Sequence, residues 1–274
     1  VGDEYRIQTE ESAAWNDEFL SQRNSLANEA HRVDAERDDR IRRSFGEMVR
    51  KLSLTQGTSK VTRDIFPVFD AQLPPDANEK VCVWVRDGWS IDENSVRADA
   101  RQAGNQSPTV FVFIPKRSAD DLRHYLIDFK AASATLDKRG VPNTAEGTEA
   151  RSAMETTKQT AEGKIRELLQ EAFSGARVFQ GGGNEILGTD LQEMTLEAAA
   201  NALQRLYPQF HVADHAGWPK VYEKAQKGAP DALKSVGDDG EPAKNPVCKA
   251  ILAFIAGGKK GIDIRKNFEG ANYG

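Results

Sequence analysis

The sequence predicts a mixed α/β, helix-rich fold: a small, partly parallel sheet with packed helices, an N-terminal long helix and a helical C-terminal part. Three observations lead there. VCVWV (Val81–Val85) and TVFVFIP (Thr109–Pro115) are near-continuous apolar runs rich in β-branched and aromatic residues, the pattern of strands buried on both faces. Between them SIDENSVRADARQAG is charged and helical in character. Before and after this region apolar residues recur at three- and four-residue spacings, as one face of a helix requires.

Phe19, Leu26, Ala30, Val33, Ile41, Phe45, Met48 and Leu52 form one such stripe, with AERDDRIRR as the solvated side of the same helix. TQGTS (Thr55–Ser59) supplies the Gly and small polar residues that stop it, so a segment 1–57 is set apart as an amphipathic arm able to pack on another element. VTRDIFPVFD then reads as a short strand interrupted by Pro67, and AQLPPDANE as a loop. In the crossover helix Ser90 is the expected N-cap and Gly104 the stop. Strand, helix, strand at this spacing predicts a parallel pair.

Two long helices follow, about Ser118 to Lys138 and Ala145 to Ser174, and ARVFQGGGNEILGTD reads as two short strands around a glycine turn, closing an α/β segment 58–188. Helices are expected over Thr189–Tyr207, Pro219–Lys227, Ala229–Val236 and Pro246–Ala256, with Pro219, Pro230 and Pro246 in first turns. A last short basic helix completes the helical segment 189–274, which ends in a truncated winged-helix-like shape. Val1 stands without an initiator Met or a signal sequence, which suggests a piece cut from a longer protein.

Composition narrows the function classes. At 39% hydrophobic and 29% charged residues the chain is unlike a disordered one, and no apolar run approaches the roughly 20 residues that span a bilayer, so no membrane partner is expected. The net charge of -5 argues against a surface that binds phosphate backbones everywhere, though a local basic patch fits. Cys82 and Cys248 sit in apolar segments without a CxxC pair and read as buried thiols of a reducing, cytoplasmic protein.

Ligands of open parallel sheets gather beyond the C-terminal strand ends, which singles out Arg86, Asp87, Gly88 and Trp89 as a functional edge. The structural reading stands first: Arg and Asp pair, Gly permits the turn and Trp caps the core. A magnesium-holding aspartate would need a GxxxxGK[ST] loop; GGGNE and AGGKKG lack that spacing. HVADH places His211 and His215 four apart beside Asp214, but no third ligand is visible and no metal site is assigned. No nucleophile elbow or paired acid and base stands out, so no catalytic residue is named. Lys259, Lys260, Arg265 and Lys266 lie on a helix, turn, basic helix, the coarse outline of a DNA reader and equally of a surface helical hairpin.

Several stretches in one order, among them GDEYRIQTEESAAW, VWVRDGWS, ARQAGNQSPTVFVFIPK, TLDKRGVPNTAEGTEARSAME, ALQRLYPQFHVADHAGWPKV and PVCKAILAFIAGGKKGIDIRKNFEGANYG, resemble the large P-loop ATPases of BREX anti-phage defence, the BrxC/PglY-like family. The resemblance implies a bacterial cytoplasmic component of a multi-protein system, with ATP and Mg²⁺ belonging to the full-length protein. The family's nucleotide-binding loop has no match here. The resemblance therefore implies an internal region with no cofactor of its own: an interaction and coupling module linking ATPase state to partners. Those partners would be other BREX proteins, double-stranded DNA or a second copy of the chain. A DNA-binding module at Lys259–Lys266, or a contribution in trans to an ATPase site through Arg86 or Asp87, are the alternatives.

Overall fold

The computed structural model describes residues 10–269 and Tyr273; residues 1–9 of the N-terminal arm, and 270–272 and 274 at the C-terminal end, lie outside the described residues. It is a mixed α/β, helix-rich fold with one five-stranded sheet, order β3-β4-β5-β6-β7, and a separate two-stranded sheet β1-β2. The segments 1–57, 58–188 and 189–274 follow the chain, whereas the compact units do not. The described residues up to Glu47 join Pro115–Gly175 in a helical unit; Met48–Ile114 and the described residues from Ala176 on form the second, sheet-containing unit.

In the helical unit the expected single helix is two, α1 (Glu10–Asn28) and α2 (Ala30–Arg50), interrupted at Glu29. The apolar stripe survives the break: Leu26, Val33, Ile41 and Phe45 are buried. α4 (Ala119–Arg139) and α5 (Ala145–Ser174) form the hairpin against which α1 packs. Trp15 of α1 is buried with Ala132, Leu136 and Met154. On α2, Arg40 lies 2.7 Å from Glu36 and 2.9 Å from Glu162 of α5, with its guanidinium 4.4 Å over the Phe129 ring of α4. The arm's apolar face is thus consumed inside the chain.

The second unit opens with a hairpin: β1 (Leu54–Gln56), where the sequence reading placed a helix stop, and β2 (Val61–Arg63), within the stretch read as one short strand, pair antiparallel around a turn in which Gly57 has φ 69°. β3 (Phe66–Val68) is an outer strand of the large sheet, which is why Pro67, lacking an amide donor, is tolerated opposite Val83. β4 (Cys82–Asp87) runs parallel to β3 and to β5 (Val110–Ile114). The crossover is α3 (Glu93–Ala103), capped not by Ser90 but by Asp92, whose carboxylate accepts from the Ser95 amide at 2.8 Å. Gly104 ends it at φ 78°, as expected.

β6 (Arg177–Gln180) pairs antiparallel with β5, and β7 (Glu185–Ile186) antiparallel with β6. Trp84, Phe111 and Phe179 stand in register across β4, β5 and β6 and enclose Val96 and Ala100 of α3. The alternate residues Val83, Val85, Val110, Val112 and Val178 are buried as well, so both faces are covered, and α6 (Leu191–Leu206) packs on β5, β6 and β7.

Beyond α6 come α7 (Trp218–Gln226), α8 (Pro246–Ile255) and α9 (Gly261–Phe268). Pro219 and Pro246 sit in first turns, but the stretch from Ala229 is only a 3-10 turn, Ala232–Val236, with Pro230 outside it. The described residues after Ile186 hold no strand, so the helical pair α8–α9 has no wing among them. No helix of the described residues is long and apolar enough to cross a membrane.

Candidate functional site

At the C-terminal end of β4, Asp87 builds the turn out of the sheet. Its carboxylate accepts from the Trp89 amide at 3.0 Å, and its carbonyl accepts from the Ser90 hydroxyl at 3.0 Å and the Ile91 amide at 3.1 Å. The Gly88 amide donates to the Ile114 carbonyl at 2.9 Å, tying the two strand ends together. Arg86 lies with its guanidinium 4.8 Å over the Trp84 ring and 3.7 Å from Asp99 of α3, rather than on Asp87. Arg86, Asp87 and half-buried Trp89 therefore share one edge, where Arg86 meets Trp84 and Asp99 and Asp87 meets the Trp89 amide.

The glycine turn Gly181–Gly183 answers to packing. A Cβ on Gly181 would come within 2.7 Å of the Gly104 carbonyl and 2.8 Å of the Ser107 carbonyl, while Gly182 (φ 91°) donates its amide to Ala100 at 2.8 Å. Arg205 of α6 fixes the same corner by donating to the Ser107 carbonyl at 3.3 Å and to the Gln180 side chain, and burial lowers its pKa.

HVADH does not form one helix face. His211 sits in a 3-10 turn, its Nδ1 3.0 Å from the Pro208 carbonyl; His215 Nδ1 accepts from the Gly217 amide at 2.9 Å. No group of three or more metal-ligating side chains occurs among the described residues. Asp214 does something the sequence reading missed. Its carboxylate accepts from the Thr58 amide at 2.7 Å, the Ser59 amide at 2.8 Å and the Ser59 hydroxyl at 2.6 Å, locking the β1–β2 turn to the loop before α7. Burial opposes ionisation there, but these hydrogen bonds outweigh it and hold the pKa at about 2. Gly57 is required at the turn because a side chain there would run into the Asp214 carboxylate.

The basic residues of the last two helices are brought to one exposed helical pair, joined by a turn in which Gly258 has φ 70°. Arg265 is neutralised by Glu269 at 2.6 Å, and Lys259 lies 5.6 Å over the Phe254 ring. Lys260 and Lys266 are exposed and take part in no ion pair among the described residues. α8 is strongly apolar, yet α7, α8 and α9 hold no fully buried side chain. Tyr222 is 66% exposed, Leu252 48% and Ile262 61%, values foreign to large apolar residues of a finished core.

Two clefts flank this region. One, of about 580 Å³, lies between the β1–β2 hairpin and the end of α6, beside Gln56, Tyr207, Phe210 and Asp214. Arg63 underlies it, its guanidinium 4.3 Å from the Tyr207 ring and its Nε donating to Gln56 at 2.9 Å. The other, of about 440 Å³, is an apolar groove lined by Val61, Phe210, Trp218, Val247, Ile251 and Phe268 among others. Compared with known proteins, the chain matches no family model, no curated protein and no solved structure.

Proposed function

We propose that this chain is a non-catalytic interaction and coupling module of a BREX anti-phage defence ATPase of the bacterial cytoplasm, linking the nucleotide state of the full-length protein to other proteins of the system. The observation that carries the reading is the C-terminal helical surface: α7–α9 present apolar side chains without burying any completely. Exposed apolar side chains favour a protein contact, since their removal from water drives association. The N-terminal arm supports a scaffolding role instead, because its stripe is buried within the chain. ATP and Mg²⁺ belong, on this reading, to parts of the protein that carry the nucleotide-binding loop.

The test is co-purification of the tagged full-length protein with the other components of its defence system, wild type against Leu252→Asp combined with Ile262→Asp. Loss of the partners with an unchanged circular dichroism spectrum supports the reading; full retention overturns it. A second reading, duplex DNA binding, draws on Lys259, Lys260 and Lys266, which are exposed and bound to no carboxylate among the described residues.

A further inference from the structure

We infer that the cleft between the β1–β2 hairpin and the end of α6 is a binding site for a neutral planar heterocycle with a lactam edge, a ring carbonyl beside a ring N–H. The site stands independently of the C-terminal contact surface. Gln56 carries the inference. It lines the cleft, is only 8% exposed, and its Oε1 accepts from Arg63 Nε at 2.9 Å. That bond fixes the amide, because the flipped side chain would set its own NH₂ against the arginine donor. The donor end, Nε2, is left without a partner among the described residues. An unmatched donor on so buried a side chain is unfavourable, and a carbonyl oxygen held in the cleft supplies the missing acceptor.

The charges around the cleft select a neutral but dipolar occupant. Behind Gln56, Arg63 lies 4.3 Å from the Tyr207 ring centroid and 5.5 Å from that of Phe210. Its Nη2 is buried without a hydrogen-bond partner, and it takes part in no ion pair among the described residues. This positive charge draws an electron-rich oxygen toward the Gln56 amide. Asp214 brings the opposite sign to the same cleft. Its Oδ1 accepts from the Ser59 amide and hydroxyl and its Oδ2 from the Thr58 amide, all neutral donors, so the carboxylate keeps its charge and Oδ2 keeps an acceptor site. The exposed His211, also in the lining, has its Nδ1 3.0 Å from the Pro208 carbonyl, which can only accept; the neutral ring then offers Nε2 as a second acceptor. A donor backed by a cation, with acceptors beside an anion, complements the C=O and N–H of a lactam. Leu203, Tyr207 and Phe210 add apolar surface for the ring, and about 580 Å³ suits a small molecule.

Other occupants fit less well. A carboxylate or phosphate would meet the Asp214 charge, and an organic cation would meet Arg63. A metal ion finds no group of three ligating side chains among the described residues. An aliphatic molecule would seal Gln56 Nε2 away from every acceptor. Lactam rings occur both as free heterocycles and as the keto bases of a nucleic-acid strand; the edge recognised is the same.

The experiment is titration of the full chain, followed by saturation-transfer NMR, with uridine and inosine as lactam probes. Uridine methylated at its ring nitrogen and the planar anion benzoate are the controls. At least one lactam should bind saturably, and the methylated uridine should bind at least about tenfold more weakly than uridine. Gln56→Glu keeps an acceptor for Arg63 but replaces the donor with a second acceptor, and should weaken lactam binding at least about tenfold with an unchanged circular dichroism spectrum. His211→Ala, on an exposed turn, should cost about threefold and serves should Gln56→Glu fail to fold. An oligothymidylate that binds more tightly than uridine, and loses as much with Gln56→Glu, makes a strand the source of the ring; one that binds no more tightly makes it a free heterocycle. No saturation by either lactam up to about 10 mM overturns the inference, as does equal affinity for the methylated uridine or tighter binding of benzoate. So does affinity unchanged by Gln56→Glu, or by His211→Ala where Gln56→Glu does not fold.

Discussion

Replacing Asp214 by Asn tests whether one carboxylate organises the groove's wall. Asp214 holds the turn that carries Ser59 and Val61 against the loop that carries Ala213, His215 and Ala216, all of which line the groove. Asn keeps one acceptor but turns an NH₂ donor toward the amide donors of Thr58 and Ser59. A pKa drop from 3.8 to about 2 is worth at most about 2.4 kcal/mol, and solvent screening at this partly exposed site reduces the expectation to about 1 kcal/mol. The sign follows from linkage: a carboxyl whose folded pKa is depressed stabilises the fold above its unfolded value near 4, and that contribution is lost as the pH falls toward 2. The difference in urea stability between wild type and Asp214→Asn should therefore be about 1 kcal/mol at pH 7 and about half that at pH 3. Tryptophan fluorescence is a suitable probe, because Trp84, Trp89 and Trp218 all belong to the sheet-containing unit. Equal stability at pH 7, or a difference unchanged between pH 7 and pH 3, would refute the clamp.

Other expectations are shorter. Arg86→Ala should cost about 1 kcal/mol through its lost contact with the Trp84 ring and leave ATP turnover of the full-length protein unchanged; reduced turnover with intact folding would favour a role in trans at an ATPase site. Gly181→Ala should destabilise by about 1–3 kcal/mol, since its Cβ would press on two backbone carbonyls, and a thermal melt matching wild type would contradict that packing. If duplex DNA binds, the exposed lysines Lys259, Lys260 and Lys266 limit the slope of log affinity against log salt to about -3, as anisotropy would measure; a steeper slope would point to phosphate contacts elsewhere.

The sheet was legible because its strands are buried on both faces, and a run such as VFVFI has few other solutions. The cap of α3 was misplaced by two residues because Ser90 and Asp92 are both good caps; Ser90 spends its hydroxyl on the Asp87 carbonyl, leaving Asp92 to the helix. β2 fell within a stretch read as a strand, but β1 and its pairing escaped because three-residue strands carry no readable alternation. The grouping of α4 and α5 with the N-terminal helices rests on Trp15 meeting Ala132, Leu136 and Met154, contacts that no local pattern announces. Of the candidate site, the basic helices and the HVADH stretch were visible. The groove was not, because its floor is assembled from β2, the turn at Phe210, α7, α8 and α9. A signal did exist in α8, PVCKAILAFI, which is too apolar for a helix with no fully buried face.

Hydrogen–deuterium exchange of the full-length protein, alone and assembled with the other proteins of its defence system, tests the central claim most directly. Protection concentrated in α7–α9 and the Gly57–Val61 turn is the predicted result. Protection confined to the helical unit, or none anywhere on the chain, would contradict a docking surface at the C-terminal helices.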